Sequence, residues 1–331
     1  MKIHIRMANT RSEGVIQMAR NLKYQFKYAI QQSFKPGADK HSTKNNPAEN
    51  GNKGSVTFSY SDRKNLIDVS SNFSNWMRDN HPEVKQLKDV NSNHVQNFLN
   101  EKAKTCTSAT VSQYKAKFSK LEKLVNNTYT KANVNYSNTV TPAATNNTEK
   151  LRTKTMSAND YNKLNNYMSN NCRSSNGATA LKIGYHTGLR VAEISKLQQR
   201  DIKINADGTA TVRVIGGKGG RDRDVHITNK ESVQMLSDIR NSVENPTDRF
   251  VPIQKDSINK AINRAMDKCN MQEYRLHDTC VHSLRKAFAQ QEYDRYKEEG
   301  MEPRQAWDRV SEQLGHGKNR DDLYKAYIEN K

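Results

Sequence analysis

The side chains best equipped for chemistry lie close to the end of the chain, between Val281 and Ile328, in the run VHSLRKAFAQQEYDRYKEEGMEPRQAWDRVSEQLGHGKNRDDLYKAYI. His282-x-x-Arg285 places an imidazole and a guanidinium about one turn apart on one face of a helix. The LGH run at 314–316 adds His316 at a helix edge or loop, and a final helical segment carries Tyr324 and Tyr327. A phenol oxygen can attack a phosphodiester when cationic donors hold the phosphate and stabilise the charge that develops on it, without a metal ion. A free phenol titrates at about 10, so attack at neutral pH also needs a neighbour to take its proton.

These groups need rigid elements to position them, and hydrophobic periodicity supplies candidates. The expected fold is mainly α with a small antiparallel β-sheet (α+β). Val15, Ile16, Ala19, Leu22, Phe26, Ala29 and Ile30 recur at helical spacing within Glu13–Phe34, with Arg20, Lys23 and Lys27 on the opposite face. Pro36-Gly37 ends that helix, and a polar, basic loop follows over 38–55. Helical stripes continue through Leu66, Val69, Phe73, Trp76 and Met77, then Val95, Phe98 and Leu99, then Val111, Tyr114, Phe118, Leu121, Leu124 and Val125. The last stripe shares its helix with Lys115, Lys117, Lys120 and Lys123, either a solvated face or a phosphate-contacting one. Residues 131–150 lack periodicity and are rich in Asn and Thr, which predicts a linker. The expected division is an N-terminal helix and loop over 1–55, a helical DNA-binding domain over 56–130, the linker, and a catalytic domain over 151–331.

Within the C-terminal half, Ser157 is placed to cap a helix, with Asp160 three residues on. An apolar approach, Leu181 to Tyr185, leads to a Thr-Gly turn at 187–188, after which Arg190, Val191, Ile194 and Leu197 continue as a helix. Residues 209–228 alternate as a β-hairpin, with Lys218 between Gly217 and Gly219 at its tip. The GGKG run lacks the spacing of a nucleotide-binding loop and is flanked by strands. Helices follow around Val233, Leu236 and Ile239, then Ile258, Ile262 and Met266. His277-x-x-Cys280 resembles the later box but has no arginine.

The segment TGLR-x-x-E, the G-K-G hairpin, His282-x-x-Arg285, the LGH run and the terminal tyrosines resemble, in this order, the active-site boxes of the tyrosine recombinases, the phage integrase family. Each box is weak alone; together they are specific, and they cover residues 151–331, the first half matching by domain plan only. The resemblance implies that Arg190 and Arg285 hold the scissile phosphate, that Glu193 anchors the site or its helix, and that Lys218 protonates the leaving 5′ oxygen. It further implies that His282 accepts the tyrosine proton or binds phosphate, and that His316 adds a donor. In most members the tyrosine follows the LGH histidine by nine positions; here Tyr324 and Tyr327 follow His316 by eight and eleven. Tyr327 precedes the aliphatic Ile328, as in the subgroup with a longer connection, and is the expected nucleophile; Tyr324 is the alternative. The implied activity is site-specific cutting and rejoining of DNA through a 3′-phosphotyrosyl link, in integration or excision of a mobile element, with no metal or other cofactor. A type IB topoisomerase-like or resolvase enzyme, or a non-catalytic DNA-binding protein on the same scaffold, would carry similar boxes.

Composition agrees with a nucleic-acid partner. The 54 Lys and Arg outnumber 35 Asp and Glu, for a net charge of +19. Apolar residues make up only 34% of the chain, which predicts small cores. The cysteines at 106, 172, 269 and 280 form no C-x-x-C pair, so no zinc site is suggested. No apolar run approaches the ~20 residues of a membrane span, and with no signal sequence the expected location is cytoplasmic, on the nucleoid. The expected partners are double-stranded DNA attachment sites and, from the resemblance, three further copies in a homo-tetramer that works through a Holliday junction, with room for accessory DNA-bending or directionality factors.

Overall fold

The computed structural model describes residues 21–38, 55–145, 153–171, 175–217, 220–275 and 279–329. The start of the expected first helix, the basic loop over 39–54, His277 and Lys218 lie outside the described residues. The chain divides into two units, Met1–Glu149 and Lys150–Lys331, each with its own apolar core. No helix of the described residues is long and apolar enough to cross a membrane.

In the first unit the apolar stripes form α1 (Leu22–Gln32), α2 (Tyr60–Asn80), α3 (Ser92–Thr105) and α4 (Ser108–Thr128). Each begins after a polar residue, Asn21, Ser59, Asn91 or Thr107, whose side-chain oxygen accepts the backbone N–H three residues on. That bond satisfies a first-turn donor with no partner inside the helix. The stripes meet at Phe73, which is fully buried and packs edge-on against Phe26, Phe98 and Phe118 at centroid distances of 6.2, 5.3 and 5.0 Å. On α4, Lys117 and Lys120 are both held by Asp62 at 2.5 Å, so these two lysines bind within the protein.

Two expected boundaries differ from the structure. Helix α1 is not a separate N-terminal element: Leu22, Phe26, Ala29 and Ile30 lie in the same core as α2–α4, and Thr57 pairs back to Ser33 and Lys35 through backbone hydrogen bonds of 2.9 and 3.0 Å. The stretch expected as a linker from residue 131 is structural through residue 144. Ala132, Val134, Tyr136 and Ala144 are buried in the first core. The Asn126 side chain donates to the Val134 carbonyl and accepts its N–H, both at 2.8 Å, and the Tyr136 hydroxyl donates to the Leu87 carbonyl at 3.3 Å. A few buried side chains and a side-chain amide standing in for a backbone partner hold this segment without any periodic pattern.

The second unit contains α5 (Ala158–Asn171), α6 (Ser175–Thr187), α7 (Val191–Ile194), β1 (Ile202–Ile204), β2 (Ala210–Val214), β3 (Arg223–Ile227), α8 (Lys230–Asn241), α9 (Lys255–Lys268), α10 (Val281–Glu298), α11 (Pro303–Gln313) and α12 (Asp321–Tyr327). The strands form an antiparallel sheet in the order β1-β2-β3, with Val212 opposite Val225. Val212, Val214, Val225 and Ile227 face the core while Arg213 points outward. Strand β1 extends the expected hairpin. Helix α7 is a single turn with Arg190 at its N-cap, rather than a helix continuing from Arg190 to Leu197. Helix α10 is buried on almost every side in its first half, through Val281, Ser283, Leu284, Arg285, Ala287, Phe288 and Ala289.

Tyr136→Ala should destabilise the first unit by about 3–5 kcal/mol, the usual cost of deleting a buried aromatic. Denaturant unfolding of the full chain checks this; an unchanged midpoint would return residues 131–144 to the role of a linker.

Candidate active site

Arg285 is the residue on which the site converges. It projects from α10 into the interior and is 2% exposed. Its terminal nitrogens donate to the carbonyls of Gly188 and Leu314. Gly188 directly follows α6, and Leu314 is the C-cap of α11. Two helix C-termini, where carbonyls carry the negative end of the helix dipole, therefore face one buried cation. Burial draws the guanidinium down to about 10, which leaves it charged at neutral pH.

The remaining reach of Arg285 is toward the nucleophile candidate. Its Nε donates to the Tyr327 hydroxyl at 3.4 Å, and Nη2 lies 3.4 Å from His316 Nε2. His316 Nε2 is in turn 3.1 Å from the Tyr327 hydroxyl. Arginine only donates, so in its contact with Arg285 the His316 Nε2 is the lone-pair nitrogen. That same nitrogen is then the acceptor facing the Tyr327 hydroxyl proton. His282, one turn before Arg285, packs edge-on against the Tyr327 ring, with centroids 5.3 Å apart at 69°. Crowding by protein atoms, followed by the charges of Arg285, Lys286 and Arg190, lowers its imidazole toward the neutral form, although the residue keeps solvent access.

The loops around these groups are fixed by specific contacts. Gly188 adopts φ +62°, and an added Cβ would collide with the Phe288 ring, so the turn before Arg190 needs glycine. The His316 N–H donates to the Ser311 carbonyl at 2.9 Å, closing the end of α11. Tyr327 is the last residue of α12 and is 5% exposed. Beyond it, the Glu329 N–H donates to Gln290 Oε1 at 2.8 Å and its carboxylate accepts from the Thr155 hydroxyl at 2.6 Å. Tyr324 points elsewhere: its hydroxyl donates to that of Tyr293 at 3.2 Å, and its ring packs edge-on against Trp307.

Arg190 stands beside this group at the N-cap of α7. Its Nη1 donates to Glu193 Oε1 at 3.0 Å and its backbone N–H to Glu193 Oε2 at 2.8 Å. Glu193 also accepts a bidentate pair from Arg223, at 2.9 and 2.8 Å. Burial works to raise the Glu193 carboxyl, but the Arg223 hydrogen bonds and charge, with Arg190, overcome it and hold the group at about 2. Around Lys218 the structure describes the flanks: Gly216 N–H donates to Asp222 Oδ1 at 2.8 Å and Gly217 N–H to the Arg221 carbonyl at 2.9 Å.

Of the residues singled out from sequence, the structure thus joins Arg285, His316 and Tyr327 through hydrogen bonds, sets His282 against the Tyr327 ring, and holds Arg190 through Glu193. The imidazole hydrogen-bonded to the phenol is that of His316, whereas His282 meets the aromatic ring. Arg223 was not anticipated. Its signal was present: it shares the inward phase of β3 with Val225 and Ile227, and a charge on the buried side of a strand needs a partner.

A family profile described as the phage integrase family matches residues 154–328, more than half of the chain, and the chain belongs to that family, the tyrosine recombinases. Comparison with curated protein sequences gives no match. Among solved structures, the XerH site-specific recombinase bound to palindromic difH substrate in a post-cleavage complex superposes with a TM-score of 0.62 at 17% identity, covering 94% of this chain and 91% of that one. A lambda integrase dimer bound to a COC' core site gives 0.55 at 15% identity, covering 88% and 77%. The Tn1549 transposon integrase in complex with circular intermediate DNA gives 0.55 at 14% identity, covering 94% and 96%. At these identities the shared property is the fold.

The Glu193 ion pairs predict a pH dependence. The carboxyl titrates near 2 in the folded chain against an ordinary 4.5, so its contribution to stability is complete above about pH 5 and is lost as pH falls toward 2. At about 1.4 kcal/mol per pH unit, the whole effect is on the order of 3 kcal/mol. Glu193→Gln should flatten the unfolding free energy between these limits by that amount, measured by denaturant melts across pH; parallel curves would contradict it.

Proposed function

We propose that the chain is a site-specific DNA recombinase that cuts and rejoins DNA through a 3′-phosphotyrosyl bond to Tyr327. The hydrogen-bonded group of Arg285, His316 and Tyr327 carries this reading. In cleavage the Tyr327 oxygen forms a bond to phosphorus while the bond to the 5′ oxygen breaks. His316 Nε2 takes the phenol proton. Arg285 and Arg190 bind the non-bridging oxygens, where planar forks match the phosphate better than lysine does. His282 donates to the same phosphate. Lys218 gives a proton to the departing 5′ oxygen. The phosphotyrosyl bond conserves the energy of the broken bond, so rejoining by a 5′-hydroxyl reverses the same steps and needs no nucleotide.

The reading extends to two duplexes. A tetramer bound to a Holliday junction is described for lambda integrase, and we take this chain to work in the same assembly on paired attachment sites. The transposon integrase among its structural neighbours supports movement of a mobile element as the setting.

The test is recombination between two plasmids carrying the sequences that flank the gene. The wild-type chain should exchange them without ATP. Arg285→Ala should slow strand cleavage by about 100–1000-fold, as loss of one transition-state donor does elsewhere, while retaining DNA binding. Tyr324→Phe should recombine at close to the wild-type rate. Relaxation of single plasmids without exchange would favour a topoisomerase, and an unimpaired Arg285→Ala would remove the site assignment.

A further inference from the structure

Besides α10 and α12, three segments carry the groups assigned to catalysis: the turn from Gly188 to Glu193 with Arg190, the turn between β2 and β3 with Lys218, and the loop after α11 with His316. One side chain reaches all three. The Arg223 fork donates to Glu193 Oε1 and Oε2 at 2.9 and 2.8 Å, and Glu193 holds Arg190 by its backbone and its guanidinium. The Arg223 Nε donates to the Gln313 carbonyl at 2.8 Å, three residues before His316. Gly315 lies on the Arg223 stem, where an added Cβ would stand 3.0 Å from Cδ. Gly217, the residue before Lys218, lies on the ion pair itself: a Cβ there would stand 3.1 Å from Arg223 Nη1 and 3.3 Å from Glu193 Oε1. The Arg223 side chain is 10% exposed, so water competes little with these bonds.

We infer that Arg223 is a positioning residue for strand cleavage, which seats the Lys218 turn against the Arg190 turn and the His316 loop. It touches neither the phosphate nor the nucleophile in this role. Through Gly217 it anchors the start of the turn that carries Lys218. The inference rests on the recombinase reading, in which Lys218 protonates the 5′ oxygen. Lysine cannot replace Arg223, because one ammonium cannot span two carboxylate oxygens and a carbonyl as the planar fork does.

The experiment compares two nicked suicide duplexes, one with the natural 5′-bridging oxygen at the scissile phosphate and one with sulfur there. The sulfur departs as a thiolate and needs no proton, so it bypasses the general acid. Wild type, Lys218→Ala and Arg223→Lys are assayed on both, with thermal melting and DNA retardation measured alongside. Both variants should lose about 100-fold or more on the oxygen duplex and return to within about tenfold of wild type on the sulfur duplex. Should Arg223→Lys fail to fold, Arg223→Gln, in which Arg190 still pairs with the Glu193 carboxylate and the new amide can donate to it, should show the same oxygen-specific defect. Arg223→Lys that cleaves the oxygen duplex at the wild-type rate, or is equally slow on both duplexes, overturns the inference. Lys218→Ala that is slow on both removes Lys218 as the acid and this inference with it, while leaving Tyr327 chemistry in place. A wild-type chain that cleaves neither duplex overturns the recombinase reading as well.

Discussion

A guanidinium held in the interior against neutral partners is the constraint on which the second unit depends. Arg285 meets two carbonyls, an imidazole and a phenol, while the nearby Glu193 carboxylate is engaged by Arg223 and Arg190. Burying such a charge costs several kcal/mol even after relaxation. The helix C-termini at Gly188 and Leu314 offset part of that cost, and the apolar packing of α10 has to carry the rest. The arrangement makes sense when a phosphate arrives. In the proposed reaction a phosphate among Arg285, Arg190 and His316 would meet these donors in surroundings where water screens little. The same geometry ties fold to chemistry, since the partners of Arg285 lie at the ends of three elements, α6, α11 and α12.

The Arg223–Glu193 pair solves the opposite problem. Here both charges are matched and their hydrogen bonds nearly complete, which favours one fixed arrangement of the surrounding turns. The protein thus separates two tasks between two buried arginines. One is satisfied within the fold and holds loops in place. The other is left electrostatically open toward the Tyr327 hydroxyl. Placing Tyr327 at the end of α12, with Ile328 buried and Glu329 bonded to Thr155 and Gln290, fixes the phenol from both sides.

Much of this was legible from residues alone, for reasons that can be traced. The helices of both units announce themselves through apolar spacing, because each buries one stripe against its neighbours. The family boxes could be read because phosphate chemistry demands particular side chains in order. Four features escaped. Ala132, Val134 and Tyr136 sit among Asn and Thr, so a segment held by a few burials and an asparagine bridge looked like linker. Strand β1 is three residues long, too short to show alternation. Which imidazole hydrogen-bonds the phenol depends on how α11 ends at Leu314–His316, a loop geometry that spacing does not encode, and from the resemblance His282 was expected to accept the proton or bind phosphate. Glu193 was visible as an anchor, but its main partner, Arg223, lies thirty positions away and is brought to it only by the hairpin.

The most direct measurement is to trap the covalent complex on a nicked suicide duplex and map the modified peptide by mass spectrometry. A nucleotide joined through its 3′-phosphate to Tyr327 is the expected result. An adduct on Tyr324, or none from a chain that still binds the duplex tightly, would contradict the site built around Arg285.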